Sequence, residues 1–327
     1  MRTLVYLEKA AVRGGIEVFA EQHVARLRAS GHEVEIAGSL SSLDGAWDGF
    51  DNIIVHKCTD VATLEKFPPE KTTCYVHDHE PICPRTYAYT PFRRNCTRRS
   101  GVWPCIFCAP LCRSWKAALG RVFVQGRRKR ALARFKRLVV ISEFMKSRLV
   151  VNGIPAEKIA VEPPVIEEKG SSGSSNPSRS SPSGIDLLFV GQLIRGKGVQ
   201  LLLEALARMK TPRSLDVVGT GNMEVALKEL AERLGIAARV RWHGFQSNPL
   251  DWMRAAACVV VPSFWQEPYG LVAAEAVALG KRVVAFAIGG LPEACQGRAT
   301  LVPPGDVDAL ARTLDDRQTG LPSTEMV

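Results

Sequence analysis

The chain has 327 residues, 46% of them hydrophobic, and a formal net charge of +10. That length suits two domains of ordinary size, each with a filled core. No apolar run approaches the roughly 18–20 residues of a membrane-spanning helix, and Glu8 interrupts the opening apolar stretch. A transmembrane protein and a secretory leader are therefore both unexpected.

In chain order, LVYL (4–7) reads as a strand, Gly14-Gly15 as a turn, and the stretch that follows as a helix. Ile16, Phe19, Ala20, Val24 and Leu27 share one face of it at helical spacing. Gly31 stops this helix and EVEIA resumes as a strand. NIIVH (52–56), TCYVH (73–77) and RLVVI (137–141) are further short strands, the last ended by Ser142, a candidate N-cap. Strands alternating with helices predict a parallel α/β sheet.

Residues 91–150 hold 16 Lys or Arg against a single acid, Glu143. That segment carries +15, so the remainder sums to −5. Such polarity creates a field for anions: lipid headgroups, phosphorylated acceptors or nucleic acid. The block includes Arg93, Arg94, Arg98, Arg99, Arg113, Lys116 and the run Arg127-Arg128-Lys129-Arg130, interleaved with Trp103, Phe107 and Trp115. Cations with aromatics suit an anionic membrane surface, with residues 93–137 as the contact. Nine cysteines without an export signal indicate a reduced compartment. Cys96, Cys105, Cys108 and Cys112 have spacings compatible with a structural zinc, an iron–sulfur centre, a disulfide or free thiols.

Ser, Gly and Pro dominate residues 168–184, which read as a linker between an N-terminal domain (1–167) and a C-terminal one (185–327). The α/β alternation then restarts. IDLLFVG, LDVVG, VVVPS and KRVVAFA are strands, while VQLLLEALARM, MEVALKELAERLG, LVAAEAVALG and DVDALARTL are helices. The VVVPS strand ends in a loop, Glu267-Pro268-Tyr269-Gly270, that opens the helix carrying Glu275. Gly270 lets backbone amides approach a ligand, and a helix start favours phosphate. Glu275 lies on a face otherwise Val and Ala, where a carboxylate needs hydrogen-bond donors; ribose hydroxyls are suitable ones.

The frame E-P-Y-G-L-V-A-A-E-A, with its glutamates separated by seven residues, resembles the signature of retaining glycosyltransferase family 4, within the glycosyl transferases group 1. The downstream GGLPE and the G-Q-L-I-R-G-K-G segment are also similar to it. This resemblance implies a GT-B fold: two Rossmann-like parallel-sheet α/β domains facing a central cleft. It implies that Glu275 binds the donor ribose and Glu267 lies by the donor sugar and phosphates. The backbone of Tyr269, Gly270 and Leu271 would meet the diphosphate. Lys197 matches the family's phosphate-gripping lysine; the arginine position is Gln192, with Arg195 nearby as a substitute. Gly219, in the VVGTGNME loop, falls near the nucleotide, and Gly14 and Gly15 resemble the family's opening Gly-Gly loop. In CYVHDHEPICPR, His77 and His79 both fall on family histidine frames, so both are candidate catalytic residues beside Glu267. Some members carry a similar Cys-rich insertion, here about 83–137.

The resemblance implies transfer of a sugar from a UDP- or GDP-sugar to a glycan or lipid-linked acceptor with retained anomeric configuration. Cell-surface polysaccharide, lipopolysaccharide or glycolipid synthesis is the expected setting, in the cytoplasm or peripherally on the inner face of the membrane. No catalytic metal is expected; zinc, if bound by the cysteines, is structural. Gln192 and a C-terminus shorter than the family's leave open a catalytically degenerate GT-B protein. A phosphorylase or epimerase of the same fold is a further alternative. The basic, cysteine-rich block leaves open a nucleic-acid-binding module, against which the paired glutamates and Lys197 count.

Overall fold

The computed structural model describes residues 1–8, 15–39, 47–83, 88, 95–101, 105, 115–166 and 183–316, with only the backbone described at 115–119. The chain divides into two compact units, Met1–Pro164 and Val165–Val327. The expected linker falls largely outside the described residues, as do Gly14, Cys108 and Cys112. No described helix is long and apolar enough to cross a membrane.

The first unit is built on β1 (Arg2–Leu7), β2 (Glu33–Ala37), β3 (Asn52–Lys57), β4 (Thr72–Val76), β5 (Arg137–Val140) and β6 (Ile159–Val161). They form one parallel sheet in the order β2-β1-β3-β4-β5-β6. Its helices are α1 (Gly15–Ala29), α2 (Val61–Leu64), α3 (Trp115–Arg134) and α4 (Glu143–Val151). Leu4, Ile53, Val55, Leu138 and Val140 are fully buried, as expected of a sheet covered on both faces. Ser142 caps α4, its hydroxyl accepting from the Met145 amide at 3.0 Å. The α3 helix lacks a clear reading in sequence because its stretch is dominated by arginine. It nevertheless buries Val122, Gln125, Arg128, Ala131 and Leu132 at helical spacing.

The second unit holds β7 (Ile185–Val190), β8 (Leu215–Val218), β9 (Val240–Gly244), β10 (Ala256–Val261), β11 (Arg282–Phe286) and β12 (Thr300–Val302). Their order is β12-β11-β10-β7-β8-β9, again all parallel. Counted within the unit, this is the doubly wound arrangement whose winding reverses between its first and fourth strands, β7 and β10. Helices α5 (Val199–Arg208), α6 (Glu224–Arg233), α7 (Pro249–Ala255), α8 (Leu271–Ala278), α9 (Leu291–Cys295) and α10 (Val307–Asp315) complete it. In α5, Val199, Leu202, Leu203 and Leu206 are buried, the i, i+3, i+4, i+7 stripe of a core-facing helix.

Gly198 forms the N-cap of α5 with φ +76°, and a Cβ there would lie 1.8 Å from the Pro262 carbonyl oxygen. The loops after β7 and β10 thus pack backbone on backbone. Gly198→Ala should destabilise the second unit by about 2–4 kcal/mol through strain and overpacking. Urea unfolding checks this; a loss within error of zero would mean the loops are not so tightly joined.

Candidate functional site

At the reversal point of a doubly wound sheet, the connections leaving two adjacent strands diverge and open a crevice at their carboxyl ends. In the second unit those connections are residues 191–198, after β7, and 262–270, after β10. They are tied together: the Gly196 carbonyl accepts from the Phe264 amide at 3.1 Å, and the Trp265 ring covers Gly196 so closely that a Cβ would lie 2.9 Å away. The Lys197 ammonium meets Glu267 Oε1 at 2.6 Å.

Glu267 is 5% exposed. Its Oε1 accepts from Lys197, from the Ser263 hydroxyl at 2.7 Å and from the Trp265 indole at 2.8 Å. Burial alone would raise its pKa, but the Lys197 charge and these hydrogen bonds outweigh it and hold the carboxyl below its ordinary value. The GGLPE segment fixes the same residue from behind. The Gly290 amide donates to the Glu267 carbonyl at 2.8 Å, and at Gly289 (φ +60°) a Cβ would meet that carbonyl at 2.4 Å. Lys197 also sits 5.4 Å from the centre of the Trp265 ring. An ammonium has three donors, so the Glu267 contact leaves capacity for an anion.

Tyr269 is buried and Gly270 is the N-cap of α8 at φ +119°. Leu271 is the first helical residue, so the unbonded amides of the first turn begin at the position read from sequence. One turn further, Glu275 is half-buried on α8, and its carboxylate has no hydrogen-bond or ion-pair partner among the described residues. Burial pushes its pKa up to about 7.

Gly219 has φ +136°, and a Cβ would lie 1.9 Å from the Gly191 carbonyl. Close packing of the β7 and β8 connections is therefore sufficient reason for glycine there. Gln192 and Arg195 are exposed on the first connection, with Arg195 opening the 3-10 turn Arg195–Lys197.

In the first unit the two strands β3 and β4 lead into His56 and His77, whose rings stack at 5.3 Å. His56 Nδ1 contacts His77 Nε2 at 3.1 Å, and His56 Nε2 contacts His23 Nδ1, on α1, at 3.0 Å. Desolvation is the main cause that holds all three neutral, depressing His23 to about 4, His56 to about 2 and His77 to about 3. His56 and His77 line a cavity of about 50 Å³ together with Lys57, Asp78, Glu80 and Arg128. Burial raises the pKa of Asp78 and, despite Arg128, that of Glu80. Arg128 donates to Glu80 at 2.8 Å and to the Thr59 carbonyl. Gln125 donates to the Glu80 carbonyl at 2.8 Å, so α3 clamps the loop after β4.

The structure separates the two candidate histidines. His77 lines the cavity, whereas the His79 ring is buried edge-on against Phe144 of α4. Gly15 opens α1. His23 and His56 were not singled out from sequence. The available signal was that NIIVH and TCYVH both end in Val-His, which the parallel sheet turns into neighbouring rings. Ser263 and Trp265, the partners of Glu267, carried no signal beyond their place in the loop.

The basic block needs one correction. Arg128 and Arg148 are each 7% exposed and do not belong to a solvent-facing cationic surface. Arg148 points inward and donates to the carbonyls of Cys96, Thr97 and Arg98 at 2.8–3.3 Å. Cys96 and Cys105 are half-buried. Among the described residues no three His, Cys, Asp or Glu side chains converge as a metal set.

Two parallel-sheet units, the second with Rossmann-type strand order and a lysine–glutamate pair at its reversal point, define the GT-B class. Solved structures of that fold align over nearly the whole chain. Anabaena HepE in complex with UDP superposes with a TM-score of 0.65 at 19% identity, covering 96% of this chain and 89% of that one. WaaG, a glycosyltransferase involved in lipopolysaccharide biosynthesis, does so with a TM-score of 0.61 at 17% identity, covering 96% and 90%. Residues 175–317 match the family model described as glycosyl transferases group 1, and the C-terminal unit is a domain of that family. The D-inositol 3-phosphate glycosyltransferase of Mycobacterium sp. (strain JLS) is 35% identical over 202 residues, 58% of this chain and 46% of that protein. That of Kribbella flavida is 39% identical over 180 residues, 49% and 42% of the two chains. The match thus spans about half the length of these curated relatives.

The raised pKa of Glu275 fixes a sign. Its folded-state value, about 7, exceeds the ordinary 4.5, so native protein retains a proton there that the unfolded chain releases. Stability from this group is full below pH 4.5 and is lost as pH rises towards 7. Glu275→Gln should be near neutral at low pH and stabilising by up to ~3 kcal/mol at pH 8. Chemical denaturation of both proteins at pH 5 and pH 8 measures the difference; a pH-independent difference contradicts the assignment.

Proposed function

We propose that this chain is a retaining, metal-independent hexosyltransferase that moves a sugar from a nucleotide diphosphate to an acceptor hydroxyl. One observation carries the reading: Lys197, Glu267 and the unpartnered Glu275 stand on the connections and helix at the reversal point of the second sheet. Each group has a task in such a reaction. Glu275 accepts hydrogen bonds from the ribose diol. The first-turn amides of α8 and the two spare donors of Lys197 take the diphosphate. Charge builds on that leaving group as the glycosidic bond breaks, so fixed donors there favour the transition state over the ground state. Glu267 holds the Lys197 ammonium in place and lies beside the sugar. The acceptor oxygen bonds to the anomeric carbon on the face from which the diphosphate departs, and the leaving phosphate oxygen takes the acceptor's proton, so configuration is retained. In the first unit, His77 offers a ring nitrogen to a sugar hydroxyl.

Solved relatives of this fold bind UDP and UDP-glucose, which makes uridine nucleotides the first probes, followed by GDP-sugars. The D-inositol 3-phosphate acceptors of the curated relatives and the basic first unit support an anionic or lipid-linked acceptor. On α3, Phe123 is 64% exposed and Val124 43%, beside exposed Arg121, Arg130 and Arg134. This face supports peripheral attachment to an anionic leaflet, with each cation contributing about 1 kcal/mol. A structural zinc on Cys96, Cys105, Cys108 and Cys112 is the accompanying proposal, read out by metal analysis of wild type and Cys→Ser variants.

Ribose binding needs ionised Glu275, so nucleotide affinity should rise as pH passes through about 7, and binding below that pH should release the Glu275 proton. Glu275→Ala should weaken UDP roughly tenfold to a hundredfold, the worth of charge-assisted hydrogen bonds. Calorimetry at pH 6 and 8, with a thermal-shift and donor-hydrolysis screen of UDP- and GDP-sugars, tests both; no response to any nucleotide overturns the function. For the surface, sedimentation should show binding to vesicles containing anionic lipid that Phe123→Ser with Arg130→Ala abolishes. Equal binding to neutral vesicles counts against it.

A further inference from the structure

The three-histidine column of the first unit places a constraint on its own protons. A neutral imidazole has one N–H and one bare nitrogen. His23 Nδ1 faces His56 Nε2 at 3.0 Å, and His56 Nδ1 faces His77 Nε2 at 3.1 Å. Each contact needs one proton between two nitrogens. If His56 carries its proton on Nε2, His23 must be bare at Nδ1, and His77 must supply Nε2–H. If His56 carries it on Nδ1, His23 must be Nδ1–H and His77 bare at Nε2. Because each link joins an Nδ1 to an Nε2, all three rings must share one tautomer. Two proton orders exist, and no mixed one satisfies both bonds.

The surroundings keep the column rigid and neutral. Phe19 lies edge-on to His56 and His77 at 5.7 and 5.0 Å, and Tyr75 stacks on His56 at 4.6 Å. The Tyr75 hydroxyl is spent on Glu162, at 2.8 Å. The charged and titratable neighbours are Arg26, His32 and Glu162 around His23, Lys57 towards His77, and Cys58, Asp78, Glu80 and Arg128 around the cavity that His56 and His77 line. At the inner end, His77 Nδ1 has no hydrogen-bond partner among the described residues. The intrinsic preference of neutral histidine for Nε2–H acts three times in the same sense. It leaves that Nδ1 bare.

We propose that His23 and His56 are positioning residues that lock His77 in its Nε2–H tautomer, so that His77 Nδ1 meets a ligand as a hydrogen-bond acceptor and selects a hydroxyl donor. The identity of that ligand as a sugar hydroxyl rests on the function proposed above; the proton order does not.

The test is two-bond ¹H–¹⁵N correlation on ¹⁵N-histidine-labelled, donor-free protein at neutral pH. The expected result is three Nε2–H histidines, assigned by single substitutions. In His56→Phe, His77 should move to the averaged shifts of a tautomer mixture. In His23→Phe, which alters a half-buried helix position and spares the strand interior, His56 should move likewise. Donor turnover in His56→Phe should fall roughly tenfold in kcat, with UDP affinity unchanged. Neighbouring rings in opposite tautomers, three Nδ1–H rings, or a His77 pattern unmoved in both variants would each overturn the proposal. An ordered column in a protein that turns over no nucleotide sugar would instead sink the function and leave the column standing.

Discussion

The second unit is organised around one buried carboxylate and its ammonium partner. Glu267 is desolvated, and a lone charge there would be prohibitively expensive. Lys197, Ser263 and Trp265 all converge on its Oε1, which keeps it ionised and fixes the loop that carries it. Much of the surrounding glycine usage follows from that requirement. Gly196 and Gly198 let the Lys197 connection lie flat against the Glu267 connection, Gly289 lets the next one press on the Glu267 backbone, and Gly290 lets it press on that of Pro268 and Tyr269. Three connections from three strands are thereby held at one edge of the sheet.

Glu267 and Glu275 are chemically identical and physically opposite. The first has three donors and a pKa held down; the second is half-buried without a described donor and has a pKa pushed up. A protein that leaves a carboxylate in that state gives up stability at neutral pH. Under the function proposed above, a ligand that brings hydroxyl donors of its own would recover what folding left unsatisfied.

The first unit uses its charges in two ways. Arg128 and Arg148 are spent inside, clamping the loop after β4 and the segment at 96–98, while Arg121, Arg130 and Arg134 remain outside. A count of basic residues therefore overstates the cationic surface. The clamp in turn steadies the loop that begins at His77, at the end of the imidazole column.

Much of the architecture was legible in the amino-acid order. Long strands are continuous apolar runs and long helices carry apolar stripes, and both patterns are local properties of the chain. The Glu267–Glu275 frame was legible for the same reason, since strand, loop and helix are consecutive. Three-residue strands such as β6 and β12 were not, because they are shorter than any period that could reveal them. Nor could sequence tell His77 from His79, or join His23 to His56 across 33 positions. It could not turn Arg128 inward or give Glu267 three donors and Glu275 none. Those outcomes depend on which side chains a parallel sheet brings together from distant segments, and burial and partnering, which set charge state and reactivity, exist only after that packing.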